Sequence, residues 1–338
     1  MTPGRPPRAV ALGGGHGLQA TLTALRRVTS DITAVVTVAD DGGSSGRLRR
    51  ELGLLPPGDL RQALAALAEA ENGTTLWAEV FQHRFGGSGA LTGHAVGNLV
   101  LAGLFEVLGD PVAALDEARR LLGVSGRVLP MSPEPLEIEA EVTGVSNDGE
   151  PRTIRGQVAV ASTPGRVRRI ELRTPQRPGG VPAACPEAVD AVLGADVVFL
   201  GPGSWFTSVL PHLLVPGLHD ALVRTDATKV VILNLIPQPG ETAGFSPERH
   251  LHVLFQHAPE LRVDVVIADR ASVPGPARLR DAAAELGARA LLADVADPNA
   301  EGLHDPDALA ACVREALGRR PSGAGGRDGG ESREGPWR

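Results

Sequence analysis

Four apolar stretches of this chain each run straight into a glycine-rich or polar loop, and that repetition restricts the fold more than any other feature. Residues 8–12 lead into Gly13-Gly14-Gly15-His16-Gly17, and residues 32–39 into Asp40-Asp41-Gly42-Gly43-Ser44-Ser45-Gly46-Arg47. Residues 196–200 lead into the loop 201–208, and residues 229–235 into the loop 234–242. The stretches are largely apolar, and residues 32–39 are rich in β-branched types, which suits strands covered on both faces. Further strands are expected at 263–268 and 289–293, with helical periodicity at 18–27, 59–69, 76–84, 94–108, 111–122 and 307–317. Alternation of this kind predicts an α/β fold, a Rossmann-like, doubly wound parallel sheet.

Between residues 129 and 174 the texture changes. Leu136-Glu137-Ile138-Glu139-Ala140-Glu141-Val142 alternates with period two, and residues 167–172 do so with more scatter. That pattern predicts a small antiparallel β insertion with one wet face. Residues 175–182 read as a loop. The expected organisation is one domain over residues 8–318 carrying the insertion, between a disordered N-terminus (1–7) and a disordered Gly/Arg/Ser/Glu-rich tail (319–338).

Composition removes several function classes. A net charge of −7, with arginine and acid interleaved, is wrong for a nucleic-acid binder, whose affinity comes from counterion release on a basic surface. No apolar run approaches the ~20 residues of a membrane span, and the first residues lack the apolar centre of a secretory signal. Cys185 and Cys312 are far apart without a partner motif, which fits a reducing compartment, so a cytoplasmic location is expected. Lys229 is the sole lysine, so P-loop and Schiff-base enzymes nearly vanish as classes.

In an open α/β sheet the ligand crevice lies beyond the carboxyl ends of the strands, where all four loops are expected. They predict one cleft assembled from segments distant in the chain. At Gly13, Gly14, Gly15, His16 and Gly17 the backbone can approach a phosphate while the next helix aims N–H groups at it. A tight turn without a ligand is the competing reading, because the spacing is not a clean G-x-G-x-x-G. Asp40 and Asp41 are adjacent like charges, costly unless a cation or donors offset them. Magnesium, held by one or two carboxylates plus ligand phosphates, is the standard offset; a solvated turn is the alternative. Gly42, Gly43, Ser44, Ser45 and Arg47 extend that segment as an irregular phosphate-handling loop, supported by Asp59 and Arg61. Asp59 serves equally well as a metal ligand or as N-cap of the following helix. Gly201, Gly203, Ser204, Thr207 and Ser208 form a candidate anion nest. Trp205 and Phe206 either stack on a base or belong to the core. Asn234, Gln238, Glu241 and Thr242 carry groups suited to reading a sugar or a base edge. His94 and Asn98, one helical turn apart, can both face the cleft. No catalytic residue is assigned.

The run Val36-Thr37-Val38-Ala39-Asp40-Asp41-Gly42-Gly43-Ser44-Ser45-Gly46-Arg47-Leu48-Arg49 is close to a signature. It is supported by Pro56-Pro57-Gly58-Asp59, Gly93-His94-Ala95-Val96-Gly97-Asn98, Gly201-Pro202-Gly203-Ser204 and Gln238-Pro239-Gly240-Glu241-Thr242. Together these residues resemble the YvcK family of bacterial proteins, the gluconeogenesis factors, within the CofD-like superfamily, over about residues 8–317. The resemblance implies a cytosolic protein that binds UDP-N-acetylglucosamine and is tied to cell shape and wall synthesis on gluconeogenic carbon. It attaches no firm reaction. The implied role is sensing, with ligand occupancy recognised by a wall-synthesis or regulatory protein, and a symmetric homo-oligomer as the usual default.

CofD relatives are magnesium-dependent enzymes that move a phospholactyl-type group from a guanosine-diphosphate adduct to a deazaflavin precursor. Asp40, Asp41 and Asp59 match their metal-holding positions, so a transferase is the first rival reading. An NAD-binding protein is the second, opposed by the imperfect glycine spacing and a missing ribose-binding acid. Two departures from the family pattern bear on the ligand. His16 stands where the family usually has Thr, and Leu303 precedes His304-Asp305-Pro306 where it commonly has Arg. If that Arg meets a diphosphate, this chain forgoes a charge-assisted contact worth ~1.5–3 kcal/mol.

Overall fold

Strands buried on both faces need apolar side chains in both directions, and the chain supplies them at the expected places. In the computed structural model, which describes residues 5–68, 76–145, 150–238 and 240–318, the strands are β1 (Ala9–Gly13), β2 (Ile32–Val36), β3 (Arg127–Pro130), β4 (Glu137–Thr143), β5 (Arg152–Arg155), β6 (Arg166–Arg173), β7 (Val197–Leu200), β8 (Thr228–Ile232), β9 (Val265–Asp269) and β10 (Arg289–Ala293). Seven of them form one parallel sheet in the order β10-β9-β8-β7-β1-β2-β3. Every residue of β1, β7 and β9 is buried, so both faces of the sheet centre are covered.

The covering helices are α1 (Gly15–Leu25), α2 (Gly43–Leu52), α3 (Pro57–Ala68), α4 (Leu76–Gln82), α5 (Val96–Leu108), α6 (Pro111–Leu122), α7 (Gln157–Ala161), α8 (Pro186–Gly194), α9 (Pro216–Arg224), α10 (Pro247–His257), α11 (Pro276–Glu285) and α12 (Pro306–Gly318). α1 packs on α3 and α12, α5 on α6, α8 on α9 and α10 on α11. Among the described residues no helix is long and apolar enough to cross a membrane.

The insertion is the three-stranded antiparallel sheet β5-β4-β6. Ile138, Ala140 and Val142 face its buried side, whereas Glu139 on the other side accepts hydrogen bonds from Arg155 (2.6 Å) and Arg173 (2.7 Å). Its start needs correcting: residues 129 and 130 belong to β3, the edge strand of the main sheet, because residues 127–130 pair with β2.

A second correction concerns residues 42–47. They are not an irregular loop, since α2 starts at Gly43. The small side chains let the helix start lie tightly against α3, where the Ser45 hydroxyl accepts the Gly58 N–H at 3.0 Å. Of the expected disordered ends, residues 1–4 and 319–338 lie outside the described residues, as does Glu69 at the end of the expected helix. Arg5 reaches Asp196 at 3.0 Å.

Candidate functional site

β1 lies between β2 and β7, so the chain leaves β1 toward one half of the sheet and later returns to extend the other half from β7. The loops after β1 and β7 therefore diverge, and a crevice opens between them. The two loops interlock at its floor. A Cβ on Gly17 would stand 2.5 Å from the Gly203 Cα and 2.6 Å from the Pro202 carbonyl carbon. The Thr21 hydroxyl donates to the Gly201 carbonyl at 2.9 Å beneath them. Asn234, arriving from β8, clasps Gly203 with both ends of its amide: Oδ1 accepts the Gly203 N–H (2.8 Å) and Nδ2 donates to its carbonyl (2.9 Å).

A cavity of about 200 Å³ lies over this floor, walled by His16, Gly17, Gly203, Gln238, Leu303 and His304. The two positions that depart from the family pattern, His16 and Leu303, thus share one cavity. A neighbouring hollow of about 360 Å³ shares Asn234 and Leu235 with it. A larger cavity, about 410 Å³, opens beside Ile32 at the opposite end of the sheet, remote from every loop of the site. Position beyond the strand ends, not size, marks the crevice.

The protein's own carboxylates occupy part of each expected phosphate cradle. α1 starts after Gly14 with no side-chain cap, and the Asp59 carboxylate takes the Gly15 N–H. Asp59 is therefore not the N-cap of its own helix, which starts at Pro57; proline suits that first position because it has no N–H to leave unpaired. In the second cradle, the Glu241 carboxylate accepts the Phe206 N–H (3.0 Å) and the Thr207 hydroxyl (2.6 Å) at the start of a π-helical turn, Trp205–Val209. Burial raises the Glu241 pKa against the pull of these bonds. Thr242 accepts the Gln238 N–H at 2.8 Å, and Thr207, Glu241 and Thr242 are all buried. These groups hold the loops rather than face a ligand. Ser208 is buried on the same turn, and Trp205 and Phe206 are core residues. Pro239 lies outside the described residues.

The three aspartates separate. The Asp41 carboxylate accepts the Val158 N–H at 2.9 Å and so ties the insertion's α7 to the end of β2. Asp40 and Asp59 stay together. Asp40 accepts the Gly42 N–H (2.8 Å), and burial raises its carboxyl pKa, with Asp41's charge adding to the rise. Asp59 is pushed up to about 7 by burial first and by the Asp40 charge second. Among the described residues no group of three or more His, Cys, Asp or Glu side chains is placed to hold a metal. Two neighbouring carboxylates with raised pKa values nonetheless fit a divalent cation that completes its shell with phosphate oxygens.

Arg61, Asn98, Ser44 and His94 form a buried chain, each 6% exposed or less. Its direction follows from one certainty, that the Arg61 Nε can only donate. Nε donates to Asn98 Oδ1 (2.9 Å), so the Asn98 Nδ2 donates to Ser44 Oγ (3.0 Å), and Ser44 Oγ is in turn hydrogen-bonded to His94 Nδ1 (2.9 Å). Burial, then the Arg47 charge, lowers the pKa of the imidazole. Burial, then Arg84, brings the Arg61 guanidinium down to about 10. His94 precedes α5 instead of opening it, and the chain fastens α2, α3 and α5 together. Arg47 is committed to the Thr92 carbonyl at 2.8 Å.

Three polar residues at the site were given no site role in the sequence. Thr37 Oγ1, Gln62 Oε1 and His304 Nε2 are buried without hydrogen-bond partners. A Cβ on Gly14 would stand 2.6 Å from Thr37 Cγ2, and one on Gly15 would stand 3.8 Å from Gln62 Oε1. Gln62 follows Asp59 by one helical turn, which is the one signal that could have pointed to it.

The family described as 2-phospho-L-lactate transferase CofD matches residues 9–304. A putative gluconeogenesis factor of Mycobacterium leprae is 60% identical over 93% of this chain and 87% of its own length. The gluconeogenesis factor of Bacillus subtilis is 40% identical over 80% of this chain and 81% of its own. A crystal structure of a UPF0052 family member from Bacillus halodurans superposes with a TM-score of 0.80 at 34% identity, covering 92% of this chain and 99% of that one.

Proposed function

The chain belongs to the CofD family, among the gluconeogenesis factors of the YvcK type, and from that premise we propose that its crevice binds a nucleotide-diphosphate sugar of the UDP-N-acetylglucosamine class. The observation that carries the reading is the cavity at the β1/β7 divergence, walled by both glycine loops. The diphosphate lies over the N-terminal turn of α1, where the helix dipole and the backbone N–H groups of His16 and Gly17 favour negative charge. Asp40 and Asp59 hold a magnesium ion when one accompanies the ligand; magnesium bound there supplies charge neutralisation of the diphosphate. Asn234 sets the position of Gly203 and thereby the shape of the floor.

The role that suits this site is sensing. The loop at residues 234–242 contacts the cavity and is tied by Glu241 to the core, so occupancy is coupled to a surface segment that a wall-synthesis or regulatory protein can recognise. Asn234→Ala removes the clasp on Gly203 without touching the strands. The variant should lose UDP-N-acetylglucosamine binding and fail to support growth on gluconeogenic carbon in cells lacking the native protein. Retention of both would remove the site assignment.

The Asp40–Asp59 pair favours one other reading, a magnesium-dependent group transfer from a nucleotide adduct. Turnover of such an adduct with a deazaflavin acceptor, abolished by Asp59→Asn, would establish it.

A further inference from the structure

We infer that His304 reads the glycosyl end of the bound nucleotide, a role resting on the nucleotide-sugar reading given above. Its ring is hydrogen-bonded to the backbone of Leu233, whose N–H is already given to the Ile267 carbonyl at 3.0 Å, so the ring donates to the Leu233 carbonyl. One nitrogen of the neutral imidazole is thereby the donor, and Nε2 carries a lone pair. That nitrogen is buried and has no partner, in a residue only 8% exposed on the wall of the crevice.

Of the groups expected to read a ligand here, three are already engaged. Asn234 is held at both ends by Gly203, and Glu241 and Thr242 are turned into the loop. What remains among the residues of the cavity wall is two acceptors without partners, Gln238 Oε1 and His304 Nε2, and both demand a donor. Phosphate oxygens only accept, so a diphosphate gains nothing from Nε2 and is repelled by its lone pair. A sugar hydroxyl or an amide N–H satisfies it. His304 is on the wall of the same small cavity as Gly17, so the donor sits on one of the two sugars that adjoin the diphosphate, and the assignment made here is to the glycosyl one, which the bare nucleotide lacks. The aliphatic side chains of Ile236 and Leu303, 50% and 53% exposed, stand at the same cavity and can give way as the ligand enters. His304 is thus a specificity-determining residue, selecting a glycosylated nucleotide over the bare one.

The test is calorimetric titration of the full chain, of His304→Ala and of His304→Gln with UDP-N-acetylglucosamine and, separately, with UDP. Loss of one hydrogen bond made only by the glycosyl end should weaken the sugar nucleotide about ten-fold in His304→Ala and leave UDP unchanged. His304→Gln, which can keep an acceptor at that place, should recover part of the loss, and it carries the test if the alanine variant fails to fold. Equal weakening of both ligands, or of neither, overturns the assignment. Equal affinity of the unaltered chain for both ligands overturns it too, while leaving the nucleotide site standing. An unaltered chain that binds neither removes both the assignment and the nucleotide-sugar reading.

Discussion

Gly17→Ala and Gly103→Ala are the same chemical change in two helices, and the structure assigns them opposite signs. Gly103 is exposed in the middle of α5, and a Cβ there meets nothing within 4 Å. Alanine should stabilise that helix by about 1 kcal/mol through propensity alone. Gly17 lies in the first turn of α1, where a Cβ would stand 2.5 Å from the Gly203 Cα and 2.6 Å from the Pro202 carbonyl carbon. Carbon atoms rest at about 3.5–4.0 Å, so the two segments must part by about 1 Å. Neither opposing group is a side chain that can swing away. The cost should sit at the upper end of the overpacking range, about 3 kcal/mol, which less a propensity gain of up to 1 kcal/mol leaves a net loss of about 2 kcal/mol. Urea unfolding read by linear extrapolation measures both variants on one scale. The expected separation between them is about 3 kcal/mol. Gly17→Ala should also weaken ligand binding, because the interlock it breaks is the floor of the crevice. If both variants come out stabilised to the same degree, the two loops do not interlock and the crevice geometry is wrong.

Acid should destabilise the fold through its buried histidines. Full burial holds His212 down to about 4 against its contacts with the Val209 and Val35 carbonyls. The unfolded chain, with a histidine pKa near 6.5, therefore binds more protons between those values, so stability falls as the pH drops through that window, by about 2 kcal/mol between pH 7 and pH 5 for this residue. Urea unfolding of the unaltered chain and of His212→Gln at both pH values checks this; equal pH sensitivity would refute it. Asp41→Ala should cost about 1 kcal/mol by removing the carboxylate at the start of α7. Hydrogen exchange at Val158 should accelerate, and unchanged protection there would count against that tie. If magnesium enters with the ligand between Asp40 and Asp59, it should displace about half a proton at pH 7, since Asp59 titrates near 7. Binding heats measured with magnesium in buffers of different ionisation enthalpy should then differ, and the difference should vanish in Asp59→Asn.

The parallel sheet and its crevice were legible in the sequence because both are written locally. Continuous apolar runs such as residues 197–200 give strands, and the breaks at Gly13 and Gly201 show where the backbone turns at their ends. α2 was not legible, since Gly43-Ser44-Ser45-Gly46 has poor helix propensity and is held as a helix by tertiary contacts such as the one from Ser45 to the Gly58 N–H. The partition of the site was hidden for a related reason. Asp40 and Asp41 look equivalent in sequence, and only the tertiary position of Val158 turns one of them toward the insertion. Glu241 read as a ligand contact, yet the turn at Trp205–Val209 leaves N–H groups in need of an acceptor and claims it. His304 was visible only within the His304-Asp305-Pro306 run and without a role, because its bare nitrogen matters only once that segment folds back onto the crevice.

The central claim is that the crevice takes a nucleotide-diphosphate sugar, and calorimetric titration with UDP-N-acetylglucosamine tests it most directly. The titration is run with and without magnesium and with NAD as competitor. Saturable micromolar binding, strengthened by magnesium and resistant to NAD, is the result expected of this crevice. No binding, or displacement of the sugar nucleotide by NAD at comparable concentration, would contradict it.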